Sequence, residues 1–244
     1  MNTIDTFSYA HVHPSWLPII KIALADMEAD YLQQLTITDW LPGKEAIFNA
    51  FSQPLTHVRY VLFGESPYPR QASANGYAFY DAAVSTLWTT TGLDKRVNRA
   101  TSLRNFIKML LLAEGLLSKD NLSQQAIAAA DKQQLIQTNQ ELFQHLLDQG
   151  FLLLNASLVL HARAPIFDAK AWRPFLRHII NDLSKQSSSI KWLLFGRIAH
   201  KILPILQHVN PDQIIISEHP YNLSFIQQPN ILQIFKPLQL LRRK

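Results

Sequence analysis

The stretch VLFGESPYPRQASANGYAF, Val61 to Phe79, decides how this chain is read. An apolar, β-branched run stops at Gly64. A turn with Pro67, Tyr68 and Pro69 follows, and Phe79 closes the segment. With the residues before it, THVRYVLFG (Thr56–Gly64) has the composition of a short buried strand. Loops at the carboxyl end of such strands are where open α/β sheets bind ligands.

Outward from this strand the pattern repeats. FLLLNASL, IKWLLFG and DQIIIS are three more short apolar runs. Helical periodicity lies between them. Ser15 to Leu35 reads as one amphipathic helix through Ile19, Ile20, Ala23, Leu24, Met27 and Leu35. TSLRNFIKMLLLAEGLL reads as a helix with Thr101 or Ser102 as its N-cap. TNQELFQHLLDQG reads as another, capped by Asn139 and closed by Gly150. AWRPFLRHIINDLSK accepts Pro174 only in a first turn. RIAHKILPILQHV breaks or kinks near Pro204, and a short last helix starts near Lys236 with Pro237 at its head. Apolar strands alternating with helices imply a parallel sheet covered on both faces. The expected fold is α/β, a three-layer α/β/α sandwich around a central four-stranded parallel sheet. One domain spanning 1–244 is expected, with a helical part over 1–55 and a motif-bearing core over 56–241. The four strand ends then share one edge, which collects GESPYPRQASANGYAF, NASLVLHARAP, GRIAH and EHPYNLS.

Composition narrows the function classes. The 244 residues are 48% hydrophobic, enough for one sizeable core. No apolar run approaches the roughly 20 residues that span a bilayer. The N-terminus lacks a basic segment followed by an apolar block, so a cytoplasmic protein without a secretory signal is expected. Cysteine is absent, which excludes disulfides and Cys-ligated zinc or iron–sulfur clusters. The formal charge of +5 is compatible with anionic partners such as nucleic acid, and equally with none. His11 and His13 alternate in HVH, but no further ligand lies nearby, so two surface histidines is the default over a metal site. No cofactor or metal is expected.

The strand-end loops, taken together, resemble the active-site motifs of uracil-DNA glycosylases of the uracil-N-glycosylase type. That family's Gly-Gln-Asp-Pro-Tyr-His is similar to Gly64-Glu65-Ser66-Pro67-Tyr68-Pro69, and its Gly-Leu-Ala-Phe to Gly76–Phe79. Its Leu-Leu-Leu-Asn matches Leu152–Asn155, and its Leu-Leu-Trp-Gly resembles Leu193–Gly196. Its His-Pro-Ser-Pro-Leu-Ser resembles His219–Ser224, and its phosphate-touching Pro-Pro-Ser-Leu resembles the segment around Ser102. The resemblance runs from about Thr56 to Leu241. No single motif is specific, but four of them occur in order, each at a strand end.

It implies a divergent DNA glycosylase that hydrolyses the N-glycosidic bond of a flipped damaged base, uracil or another deaminated base. DNA is the implied partner, and a monomer the implied state. The residue chemistry agrees. Asn155 offers an acceptor and two donors for a base edge. Phe79 offers a face for stacking, and Tyr68 can bound the pocket beside Glu65. A neutral imidazole at His219 can donate to the leaving base as negative charge gathers on its O2. Leu223 can fill the gap left in the duplex, with Ser224 beside it and Ser102 toward phosphate. Each also has a plain structural use: Asn155 as a turn cap, Phe79 as core, Leu223 as a loop anchor.

The departures are as informative. Ser66 stands where the family has the aspartate that activates water and faces the sugar's developing positive charge. A hydroxyl carries no charge and is a poor base at neutral pH. Glu65 occupies the family's Gln position, Pro69 its His position, and Tyr221 and Asn222 replace Ser and Pro before the wedge. A positioned general base is worth ~10²–10⁴ in rate, so slowed hydrolysis and a catalytically impaired DNA-binding or assembly protein both stand as readings. A third, hydrolysis of a nucleoside-like bond in a small molecule, follows if DNA is not the partner.

Overall fold

A computed structural model describes residues 7–161 and 165–243. Residues 1–6, the start of the segment read for a secretory signal, and 162–164, within the NASLVLHARAP loop, lie outside the described residues.

The helices are α1 (Leu17–Ala25), α2 (Ala29–Ile37), α3 (Lys95–Arg99), α4 (Thr101–Ala113), α5 (Gln124–Ala129), α6 (Asn139–Asp148), α7 (Pro165–Ala171), α8 (Arg173–Gln186), α9 (Ile198–Ile202) and α10 (Pro229–Phe235). The strands are β1 (Tyr60–Gly64), β2 (Trp88–Thr89), β3 (Gly92–Leu93), β4 (Phe151–Asn155), β5 (Lys191–Phe195) and β6 (Ile214–Ser217). The strands β4, β1, β5 and β6 lie in that order in one sheet, and β2 and β3 form a small antiparallel pair. The expected α/β class and four-stranded parallel sheet are present. β1 sits centrally, with Gly64 opposite Asn155 on β4 and Phe63 opposite Leu194 on β5. Side chains alternate across a sheet. Val61, Phe63, Leu152, Leu154, Trp192 and Leu194 join one apolar core, while Leu62, Leu153 and Leu193 between them are also buried. Burial of both faces is why these strands are continuous apolar runs rather than alternating ones.

The chain packs as two compact units. The first comprises Met1–Asp81, Gly150–Leu194 and Ile198–Ile215; the second comprises Ala82–Gln149, Phe195–Arg197 and Ile216–Lys244. The core of the first is built on α1 and α8, with Trp16, Trp172 and Trp192 fully buried. The second is built on α4, which packs with α10 and with the 3₁₀ turn Leu223–Gln227.

Several local expectations are corrected. The helix read from Ser15 to Leu35 is two helices broken at Asp26–Glu28. Met27, in the break, is still buried, so the apolar period runs on through a bend that periodicity cannot reveal. Helix α4 is preceded by Ala100 as N-cap with no side-chain cap bond, and Thr101 and Ser102 are its first residues. Helix α6 is capped by Thr138, not Asn139. Thr138 Oγ1 accepts from the Glu141 backbone, and Glu141 reaches back to the Thr138 N–H. Helix α9 stops at Ile202, before Pro204. Helix α10 and the β2–β3 pair were not read from the sequence. His11 lies in a turn, and His13 caps the 3₁₀ turn Pro14–Trp16, its Nδ1 accepting from the Ser15 N–H. Among the described residues no cluster of three metal-ligating side chains occurs, and no helix is long and apolar enough to cross a membrane.

Candidate active site

Unit 1 carries one group of the motif residues. β1 ends at Gly64 and β4 at Asn155, side by side. A methyl at Gly64 would lie 2.4 Å from Asn155 Oδ1 and 2.9 Å from Ala78 Cβ. Gly64 therefore makes the room in which the Asn155 amide sits, and Asn155 is held almost fully buried there. The returning loop is tied in by the Ala78 N–H donating to Leu153 O at 3.0 Å. One residue on, Phe79 has a φ of 64°. A bulky residue in the left-handed region is a genuine outlier, and such strain clusters at functional sites. Phe79 is half-buried.

Tyr68 braces this conformation: its hydroxyl donates to Phe79 O at 3.2 Å. Burial, then the negative charge of Asp81, pushes the Tyr68 phenol up to about 12, with Arg70 opposing. Tyr68 is thus a neutral donor at any ordinary pH. Asp81 is itself buried and paired with Arg70 at 3.2 Å. The sequence reading missed it, although it stands two residues past Phe79.

The first loop places Glu65 and Ser66 differently. Glu65 is exposed, and its carboxylate pairs with Lys201 at 3.1 Å. Ser66 is half-buried, and no hydrogen bond to its hydroxyl is found among the described residues.

Unit 2 carries the other group. Gly196, at the end of β5, has a φ of 74°, and a Cβ there would come within 2.7 Å of His219 Cβ. His219 is therefore seated against a glycine, as Asn155 is. The Tyr221 backbone N–H donates to His219 Nδ1 at 3.1 Å. A backbone N–H can only donate, so Nδ1 accepts, and in the neutral ring the proton sits on Nε2.

The loop that follows lacks the family's Ser and Pro, and hydrogen bonds hold it instead. Asn105 of α4 is completely buried, and its Nδ2 donates to Pro220 O at 2.7 Å and Tyr221 O at 3.3 Å. Glu218 accepts from Asn222 Nδ2 at 3.1 Å and from the Ser224 hydroxyl. Leu223, between these two partners, is 70% exposed. Neither Asn105 nor Glu218 was read as a site residue. The one signal for Asn105 is a polar residue on the apolar stripe of α4. Ser102 lies in the first turn of that helix, half-buried, where free N–H groups favour an anion.

The family model for the uracil DNA glycosylase superfamily matches residues 51–239. The chain belongs to the uracil DNA glycosylase superfamily. Among uracil-DNA glycosylases, that of Psychromonas ingrahamii is 27% identical over 188 residues, 75% of this chain and 71% of the relative. That of Corynebacterium glutamicum is 26% identical over 236 residues, 91% and 84% of the two chains. The solved wild-type UNG from Nitratifractor salsuginis is 36% identical with a TM-score of 0.90, over 96% of this chain and 94% of that one. Mimivirus uracil-DNA glycosylase, 19% identical with a TM-score of 0.57 over 90% and 71%, is alike in fold. The superfamily match spans both units and every motif residue named above.

Proposed function

We propose that this protein is a DNA glycosylase that removes uracil from DNA by hydrolysis of the N-glycosidic bond. Membership of the uracil DNA glycosylase superfamily supports the reaction class. The observation that carries this chain's own competence is the Tyr221 N–H bond to His219 Nδ1, which leaves Nε2–H as donor.

In this reading the flipped base stacks on Phe79, Asn155 pairs with its O4/N3 edge, and Tyr68 closes the side where thymine carries a methyl. Water adds to the sugar C1′ as the bond to the base nitrogen breaks. The bonding electron pair leaves with the base, His219 Nε2–H stabilises the negative charge on O2, and the proton shed by the added water passes to bulk solvent. Leu223 wedges the duplex, with Ser102 and Ser224 toward phosphate. Ser66 stands on the water side, where its hydroxyl orients the nucleophile without taking its proton. Glu65 is neutralised by Lys201 and lines the rim. All these residues come from one chain, so a monomer suffices; light scattering with and without DNA tests that.

The test is excision from oligonucleotides carrying uracil, hypoxanthine or xanthine, scored as abasic sites. Uracil is the expected substrate, and Ser66→Asp is expected to raise the rate by about 10² or more, the scale of a positioned base. Salt-sensitive DNA binding with no product from any of the three would overturn the enzymatic reading in favour of a binding protein.

A further inference from the structure

Beside the end of β4, unit 1 has an open cleft of about 280 Å³ whose rim carries Lys170, Arg173, His200 and Lys201. All four side chains are exposed. Its lining includes Ala156 and Leu176, both buried. Nothing in the reaction described above uses it.

Carboxylates on the lining elements are committed elsewhere. Asp168 of α7 is fully buried and accepts from Tyr31 Oη at 2.8 Å and from the His161 N–H at 2.7 Å. Glu65 is taken by Lys201. Among the described residues Lys170 and Arg173 have no acidic partner within salt-bridge distance. Convergent positive charge without a counter-charge raises the local concentration of anions. Arg177, one turn beyond Arg173 on the same face of α8 and also exposed, extends the charge along the helix. Arg173 and Arg177 thus share a face of α8, and Lys170 and Lys201 line the same cleft, a set of charges that suits a polyanion better than a single small ion.

The cleft also adjoins the strand ends that present the base-reading residues. Ala156 follows Asn155, and its N–H donates to Gly64 O at 2.8 Å. The next N–H, of Ser157, donates to Glu65 O at 3.0 Å. Lys201 joins both features, since it lines the cleft and neutralises Glu65, whose charge would otherwise repel phosphate.

We infer that this cleft is a secondary phosphate-binding site, which holds the backbone of the DNA strand flanking the flipped nucleotide. This deepens the glycosylase reading and rests on it. The test is the charge-reversed double variant Lys170→Glu/Arg173→Glu, with the charge-keeping pair Lys170→Arg/Arg173→Lys as control. Expected for the reversed variant is a slope of log Kd against log salt for single-stranded DNA that is shallower by roughly 1 to 2, since each lost contact removes about 0.7. Its KM should rise on a long uracil strand while kcat, melting temperature and activity on a short strand ending before the cleft stay unchanged. The control pair should keep the native slope.

An unchanged slope, or an equal loss on long and short strands, overturns the inference. So does inorganic phosphate raising the melting temperature of the native protein but not of the reversed variant, if the DNA slope is the same in both. That would mark a small-anion pocket. If the native protein leaves uracil untouched, the glycosylase reading fails on its own, and the salt slope still decides the cleft.

Discussion

At the scale of single residues, the backbone of Phe79 is the most telling observation. Holding a non-glycine residue at a φ of 64° costs about 1–3 kcal/mol, and the Tyr68 hydroxyl is part of what keeps it there. Two substitutions separate strain from stacking. Phe79→Gly and Phe79→Ala both remove the ring and are expected to lose excision of uracil. Glycine relieves the strain, so the Gly variant should be more stable than the Ala variant by about 1 kcal/mol in urea. Equal stability would mean the backbone is not strained. Gly64 makes a complementary prediction: Gly64→Ala pushes a methyl into Asn155 Oδ1 and should lower kcat/KM on uracil at least as much as Asn155→Ala, in a protein that still folds. The residues proposed for the site could be named from the sequence because the chemistry proposed for each needs a recognisable residue type at a strand end. Asn105 and Glu218, which hold the loop around Leu223, and Asp81, which pairs with Arg70, could not. Asn105 meets Pro220 from 115 positions away, and no local pattern encodes such a pairing.

Elements show the same division. The four sheet strands were readable because a strand buried on both faces must be a continuous apolar run. The break between α1 and α2 was not, because the apolar period persists across it. The cap of α6 was placed one residue late for a chemical reason: Thr138 and Asn139 are both good caps, and only Glu141 three residues after Thr138 completes the reciprocal box. That box is testable. The Glu141 carboxyl is held below its ordinary value, first by the Thr138 hydroxyl and also by the Gln137 and Thr138 N–H groups. A depressed carboxylate adds stability above the ordinary glutamate value and loses it as pH falls through the folded value. Glu141→Gln should therefore cost stability near neutral pH, with a gap to the native protein that closes in acid. Thr138→Ala removes both the cap oxygen and the hydroxyl that donates to Glu141, so it is expected to cost about 1 kcal/mol near neutral pH and less in acid, where the Glu141 carboxylate is protonated. Thermal melts across that range read both.

At the scale of the whole molecule, the opposite sign appears where the C-terminus docks. Glu114 ends α4 with its side chain fully buried. It accepts from the Leu241 N–H at 2.9 Å and lies 3.9 Å from Arg242 Nε. Burial pushes its carboxyl up, with the Leu241 N–H and Arg242 opposing. A carboxyl raised in the folded state contributes stability at and below the ordinary glutamate value, and that contribution is lost as pH rises through the folded value. Glu114→Gln should flatten this part of the stability profile without loosening the C-terminal segment, as hydrogen exchange at Leu241 can check. The division into two units has a consequence for how any such unfolding is watched. Trp16, Trp40, Trp172 and Trp192 belong to unit 1, and Trp88 alone to unit 2. Indole emission is thus chiefly a witness to one unit, whereas far-ultraviolet ellipticity sees the helices of both. In Trp88→Phe the two signals are reporters with different territories. Their midpoints coincide only if the units melt as one, and any gap between them measures in degrees how independently each half of the molecule stands.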